Sequence, residues 1–419
     1  MKAGESLVAT SAEDSTVRLW DLRNGGVASS ELGSSSSSPR VATCLCRCFD
    51  GEAVSSVVFG AGDAHRLYCS AGGKVLEFDL RSCGGARALL VTSPTAVLDD
   101  GEEEVNELAV HPKGDYLAAA DDSGVVKVYN TRTRRVDRSL RNAHTNICHA
   151  VRFRPRASWD IVSGALDSTL VFWDFSTGRV RRRLNLTEGV GASSACSASS
   201  SSPQQLFNPP FVHSVDFTSD GCYLAAGLGD SGVVVVDAKT RTPVGRCDGH
   251  SAPISQVVHY PCFNSKLLIS AGNDQRLLVW DQRQFEHQSD PSTLTKGGGC
   301  GGGGGGGGEK LKQTGKKKGR TKGLNKQKSA SATAGQPSSH ESTSSKSNET
   351  GQDSSEVEGG ANVPARQEKD GIVTSSRPLL SIRLEEKPNW VTSLATPYPA
   401  IALADTSSVA KILRMHGGA

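Results

Sequence analysis

One spacing recurs three times along this 419-residue chain and restricts its fold more than any other feature. A Ser or Thr precedes an Asp by four residues, and that Asp precedes a Trp by six. The triples are Thr10, Asp14 and Trp20; Ser163, Asp167 and Trp173; and Ser270, Asp274 and Trp280. Each lies in the same kind of segment. Residues 266–283, KLLISAGNDQRLLVWDQR, hold a short apolar run, a Gly-Asn-Asp turn and a second apolar run ending in Trp. This reads as a β-hairpin, because Gly, Asn and Asp accept the backbone angles of a tight reversal. A single hairpin is not stable in water, so the segment needs partners, and the repeat supplies them.

Looser copies fill the gaps. Residues 67–81 put Phe78-Asp79 in place of Trp-Asp, residues 117–130 use Tyr129-Asn130, and residues 224–237 use Val236-Asp237. A further short strand is expected before most copies, at 54–59, 105–110, 147–153, 212–217 and 254–259. A last copy, with strands at 390–394, 400–404 and 409–413, follows a long polar stretch. Seven units of roughly 40 residues, each a run of short strands, indicate a seven-bladed β-propeller. Each unit buries an apolar sheet face only by packing on its neighbours. Long helical patterns that would mark a parallel α/β sheet are missing.

His144 and His250 each stand about 30 residues before a Trp, at a recurring offset. The repeated spacing favours architecture over catalysis or metal binding. The expected arrangement is two buried groups, His144 with Ser163, Asp167 and Trp173, and His250 with Ser270, Asp274 and Trp280. Between them these side chains supply the donors and acceptors that burial requires.

Three stretches break the repeat. Residues 24–40 and 187–210 read as Gly-, Ser- and Ala-rich loops. Residues 285–375 hold a poly-Gly run, a basic tract and a Ser-rich segment, a composition that cannot bury enough apolar surface to order itself. The expected organisation is blades one to six over 1–284, a disordered insert over 285–375 placed between the sixth and seventh units, and the last blade over 376–419. Only six residues precede the first strand, so the first blade is expected to lack its inner strand. An open edge invites aggregation, which favours a truncated start.

Composition narrows the function. The net charge of +3 is too small to imply nucleic-acid binding. Eleven Cys, an odd number without a regular framework, suggest reduced thiols inside the cell. No signal-peptide run or 18-residue apolar span is present, so no membrane partner is expected. No GxSxG, HExxH, P-loop or dinucleotide fingerprint appears, so an enzyme is not expected, nor a cofactor. Cys44, Cys46 and Cys48 alternate along one strand face, which fits packing better than the CxxC turns of a zinc site. No metal is expected.

With Trp20-Asp21, Trp173-Asp174 and Trp280-Asp281 in place, the chain resembles the WD-repeat family over nearly all of its length outside the inserts. The resemblance implies a non-catalytic scaffold for protein partners. Trp20-Asp21-Leu22-Arg23 and Trp280-Asp281-Gln282-Arg283 also match the box of WD-repeat substrate receptors in cullin-4 ubiquitin ligases, with Phe78-Asp79-Leu80-Arg81 a looser copy. In those receptors the Arg contacts the adaptor subunit that bridges to the cullin. The resemblance therefore makes Asp21, Arg23, Asp281, Arg283 and Arg81 candidates for adaptor binding, beside an unknown target protein. Two other readings stand. The Asp and Arg can simply stabilise a strand end, and the chain can be a nuclear scaffold or peptide-binding propeller with no ligase role. The basic tract 310–328 has no aromatics to stack on bases. It reads as a nuclear import signal or a solvated loop, giving nucleus and cytoplasm as the expected locations.

Overall fold

A computed structural model describes residues 7–21, 41–45, 49–81, 90–91, 93–187, 208–262, 265–288, 368–369, 372–374, 377–394, 400–405 and 410–414. They form seven sheets, the seven blades of a β-propeller. Blade 4 shows the plan. Cys148–Phe153, Asp160–Ala165, Thr169–Asp174 and Arg179–Asn185 pair antiparallel in sequence order. The first strand is innermost and the last lies at the edge, where four of its seven residues are exposed Arg. Charged edge strands resist pairing with other chains. Blades 2, 3 and 5 follow the same order.

The inner strands stand side by side in one direction, and side chains stitch each to the next. Leu108 N–H donates to Ser56 Oγ (3.1 Å) and Val151 N–H to Glu107 Oε2 (2.7 Å). Val257 N–H donates to Ser214 Oγ (3.2 Å) and His259 N–H to Asp216 Oδ2 (2.8 Å). Val391 N–H donates to the Gln256 side-chain amide oxygen, Oε1. Apolar layers fill the space between blades. Ala150, Val162 and Phe172 of blade 4 meet Val215, Leu224 and Val234 of blade 5, all buried. Such burial is worth about 1.5–3 kcal/mol for each large apolar side chain.

Three details differ from the sequence reading or extend it. The fourth strand of blade 6 is Leu380–Arg383, paired with Arg276–Asp281. The stretch expected to separate the sixth and seventh units therefore interrupts the sixth sheet, between its third and fourth strands. The predicted boundary at 284 falls inside a blade, and residues 376–419 hold more than the last one. Blade 5 carries two extra strands, Ile372–Thr374, parallel to Thr242–Asp248, and Glu368–Lys369, antiparallel to Ile372–Thr374. Blade 1 consists of Leu7–Ser11, Val17–Asp21 and Val41–Leu45 with Leu90–Val91 parallel at its edge. No inner strand precedes Leu7–Ser11 among the described residues. Among the described residues blade 7 has three strands, Pro388–Leu394, Ala400–Asp405 and Ala410–Arg414. Its Ala402 packs on Val8 and Trp20 of blade 1, so the first and last blades meet. The insert expected to be disordered lies largely outside the described residues, as do Cys46 and Cys48. No helix among the described residues is long and apolar enough to cross a membrane.

Candidate protein-interaction site at the strand ends

The propeller face that carries the candidate arginines is defined by register. Arg66 pairs with Asp79, Asp160 with Asp174 and Leu267 with Asp281. Each third strand thus ends beside the start of the second, and because the inner strands run one way, all these ends lie on one face. Side chains alternate across a strand, and the alternation continues into the turn. The residue after the Asp points inward, as Phe175 (0% exposed), Ala238 (1%) and Gln282 (0%) show. The following position points outward. This is why an Arg two residues after the Asp presents itself to solvent.

Arg283 does so with its guanidinium fixed. Its Nε lies 2.9 Å from Asp281 Oδ1, its Nη2 lies 2.6 Å from Oδ2, and its backbone N–H donates to Oδ1 at 2.9 Å. The side chain remains 60% exposed. Arg81 repeats the geometry in blade 2, with Nε 2.9 Å from Asp79 Oδ1, Nη2 2.8 Å from Oδ2 and N–H 2.9 Å from Oδ1. It gains a second carboxylate, Asp63 Oδ2, at 3.3 Å. The Arg81 side-chain and backbone hydrogen bonds hold the Asp79 carboxyl at about 2, below the usual range. Hydrogen bonds from Arg283 lower Asp281 in the same way. Both Asp residues therefore stay charged at neutral pH, and each orients its Arg. Exposed pairs of this kind contribute little stability. A planar fork held in one orientation is well suited to carboxylates and carbonyls on a partner. Asp21 closes the corresponding strand of blade 1, whereas Arg23 lies outside the described residues.

The structure brings the expected buried groups together. In blade 6, Trp280 Nε1–H donates to Ser270 Oγ (2.9 Å), Ser270 Oγ lies 2.8 Å from His250 Nε2, and His250 Nδ1 lies 2.9 Å from Asp274 Oδ1. One tautomer satisfies every contact: Nδ1–H donates to Asp274, and Nε2 accepts from Ser270. In blade 4 the distances are 2.8 Å for Trp173 to Ser163, 2.7 Å for Ser163 to His144 and 3.3 Å for His144 to Asp167. Both tryptophans and both serines are buried. These groups pin strands within each blade. Among the described residues no group of three His, Cys, Asp or Glu could hold a metal ion.

The WD domain, G-beta repeat model matches residues 92–130, 137–174 and 241–281, segments that form parts of blades 2–3, 3–4 and 5–6. The chain carries WD40 repeats. A WD repeat-containing protein 53 homolog from Dictyostelium discoideum is 29% identical over 308 residues, covering 69% of this chain and 76% of that protein. Nuclear distribution protein PAC1 from Arthroderma benhamiae is 26% identical over 193 residues, 45% of this chain and 39% of that one. U3 small nucleolar RNA-associated protein 15 from Schizosaccharomyces pombe is 29% identical over 134 residues, 32% of this chain and 25% of its own length. Repeats of this family support a protein-interaction scaffold.

The WD40 propeller also carries features that spacing did not reveal. Asp63, the second partner of Arg81, sits 18 residues away at the start of the second strand of blade 2, Asp63–Ala71. Arg276 approaches the buried Asp274 to 3.6 Å. A cluster of aromatic rings between blades 3 and 4 has no repeat signature at all.

Proposed function

We propose that this propeller is a non-catalytic substrate receptor of a cullin-4 ubiquitin ligase. In this reading Arg283, Arg81 and Arg23 engage the adaptor subunit, and another surface holds the target. The observation that carries it is Arg283. Its side chain is 60% exposed, yet its guanidinium is held by both oxygens of Asp281 at the end of a buried strand. The stability of the blade does not require an Arg there, since blade 4 ends in Trp173-Asp174-Phe175-Ser176, and Ser176 Oγ satisfies Asp174 at 2.6 Å. An oriented and dispensable Arg is suited to recognition. The Trp-Asp-x-Arg likeness to ligase receptors supplies the identity of the partner.

The test is co-purification. Wild-type protein should recover the adaptor and cullin, and Arg23→Ala plus Arg283→Ala should lose both while its thermal unfolding is unchanged. Arg81→Ala should weaken recovery further in a background with one of the two intact. Retention of the adaptor by the folded double variant would remove these arginines from the mechanism. Recovery of a nuclear complex without adaptor or cullin from wild-type protein would favour the scaffold role with no ligase link. The basic tract at 310–328 would then serve nuclear import, and its replacement by neutral residues should shift the protein to the cytoplasm.

A further inference from the structure

Trp159 is the one aromatic side chain among the described residues that is both large and substantially exposed, at 44%. It is not loosely held. Its carbonyl accepts from Phe175 N–H at 3.0 Å. Its ring centroid lies 5.3 Å from that of Phe175 and 6.1 Å from that of Tyr116 in the neighbouring blade. Tyr116 in turn lies 5.2 Å from Phe175, and Phe153 and His111 back the cluster from below. Trp159 is thus the outer member of a packed aromatic stack that bridges blades 3 and 4. Since Asp160 pairs with Asp174, the stack opens on the same face as Arg81 and Arg283.

Charge surrounds it unevenly. The carboxylates nearby already have cations. Asp115 binds Arg132 at 2.9 Å, Asp160 lies 3.3 Å from Arg154, and Asp174 lies 2.7 Å from Arg181. Lys113, Arg156 and Arg179 are exposed and have no ion pair among the described residues. Arg156 sits three residues before Trp159 and is held outward by a left-handed backbone, φ 60°. Arg179 lies opposite Asp174 at the edge strand. An exposed Trp with Tyr beside it and an arginine rim has the composition of a binding hot spot.

We infer that the Trp159–Tyr116 surface docks a protein segment that places one large apolar side chain against the indole and acidic residues against Arg156, Arg179 and Lys113. A nucleic acid suits it less. Only one aromatic platform is open, whereas single strands need successive ones. Trp159 and Arg156 belong to blade 4, and blade 5 stands between them and Arg283 in blade 6. The inference does not rest on the adaptor contact proposed above.

The experiment uses the full chain and three fluorescent probes. The first is a peptide with Leu-Phe flanked on each side by alternating Asp and Glu. The second is the same peptide with Leu-Phe replaced by Ser-Ser, and the third is a short oligouridylate. Saturable binding of the first peptide is expected, weakened about ten-fold by Trp159→Ala and by Arg156→Glu plus Arg179→Glu. Trp159→Phe should retain most of it, and Arg283→Ala all of it. The Ser-Ser peptide should bind at least several-fold more weakly, and thermal unfolding of each variant should match wild type. The inference is overturned if wild type shows no saturable binding up to about 1 mM peptide. Tighter binding of oligouridylate than of peptide overturns it too, as does unchanged peptide affinity in a folded Trp159→Ala variant.

Discussion

Blades 4 and 6 contain the same four residue types, with Ser, Asp and Trp at the same spacing and the His 19 and 20 residues before its Ser, yet the two groups are not equally tight. Their inner halves agree: Trp to Ser is 2.8 and 2.9 Å, and Ser to His is 2.7 and 2.8 Å. Their outer halves do not. His250 lies 2.9 Å from Asp274, whereas His144 lies 3.3 Å from both oxygens of Asp167. Two positions explain the difference. Where blade 6 has Gly272, blade 4 has Ala165. A Cβ on Gly272 would stand 2.7 Å from Asp274 Oδ1 and would also press on His250 Nδ1, so the close His–Asp contact depends on glycine. Where blade 6 has Arg276, blade 4 has Thr169. Its hydroxyl lies 3.1 Å from His144 Nδ1 and 2.7 Å from Asp167 Oδ1, filling the gap that the longer contact leaves. The shared spacing specifies which residues meet, and the residues between them decide how the carboxylate is satisfied.

The largest separation should come from removing the histidines. His250→Ala leaves the Ser270 hydroxyl without its acceptor, and it leaves Asp274, with a side chain only 4% exposed, relying on Ser251 N–H, the Ser251 hydroxyl at 3.5 Å and Arg276 at 3.6 Å. A cost of about 3 kcal/mol is expected, the penalty for stranding buried polar groups. His144→Ala should cost closer to about 2 kcal/mol. Asp167 would keep three donors, the N–H groups of Thr145 and Thr169 and the Thr169 hydroxyl. Urea unfolding followed by tryptophan fluorescence measures both. Equal losses would show that the extra donors in blade 4 carry no weight and would break the comparison.

Acid should sharpen it next. Burial lowers the proton affinity of His250 by more than the neighbouring Asp274 raises it, so the folded-state pKa lies below the ordinary value. An unfolded chain takes up the proton first, at a pH of about 6.5. The sign follows from proton linkage: this contribution to stability is complete above that pH and is lost as pH falls towards the lowered folded value. His250→Gln cannot titrate. Its unfolding free energy should be lower throughout but should fall less than wild type between about pH 7.5 and 5.5. A parallel decline in both proteins would place the pH sensitivity elsewhere.

Much of this was legible in the sequence, for local reasons. Strand, turn and Trp lie within about 20 residues in each unit, so Thr10, Ser163 and Ser270 announce their tryptophans directly. Blade 1 shows how far that goes. Trp20 still donates to Thr10 (2.9 Å), but no histidine among the described residues reaches Asp14, which is 49% exposed and caps its own turn through Thr16. The spacing alone did not distinguish that simple turn cap from the buried carboxylates of Asp167 and Asp274. The fourth strand of blade 6 was hidden for another reason. Leu380–Arg383 is four residues long, mostly exposed, and separated from its partner by roughly a hundred residues of polar chain, so it carries no alternation that marks a strand. Trp159 was equally hidden, since an exposed aromatic before a strand has no periodic signature. The Asp–Arg pairs were visible as residue types, but the fixed orientation of Arg283 required the geometry of the strand end.

The smallest effect tests the cause of the difference directly. Gly272→Ala should lengthen the His250–Asp274 contact towards the 3.3 Å of blade 4 at a cost of about 1 kcal/mol, that of one methyl group forced into a filled site. Backbone strain is not part of this cost, because the left-handed residues of the chain do not include Gly272. If Thr169 is what makes Ala165 tolerable in blade 4, then Gly272→Ala combined with Arg276→Thr should recover part of the loss. The double variant would then be more stable than the sum of the single changes. Proton chemical shifts of the His250 ring report the contact independently of stability. A double variant no better than additive would mean that Ala165 and Thr169 do not act together. The looser blade 4 group would then have to be traced to the backbone path of its own inner strand.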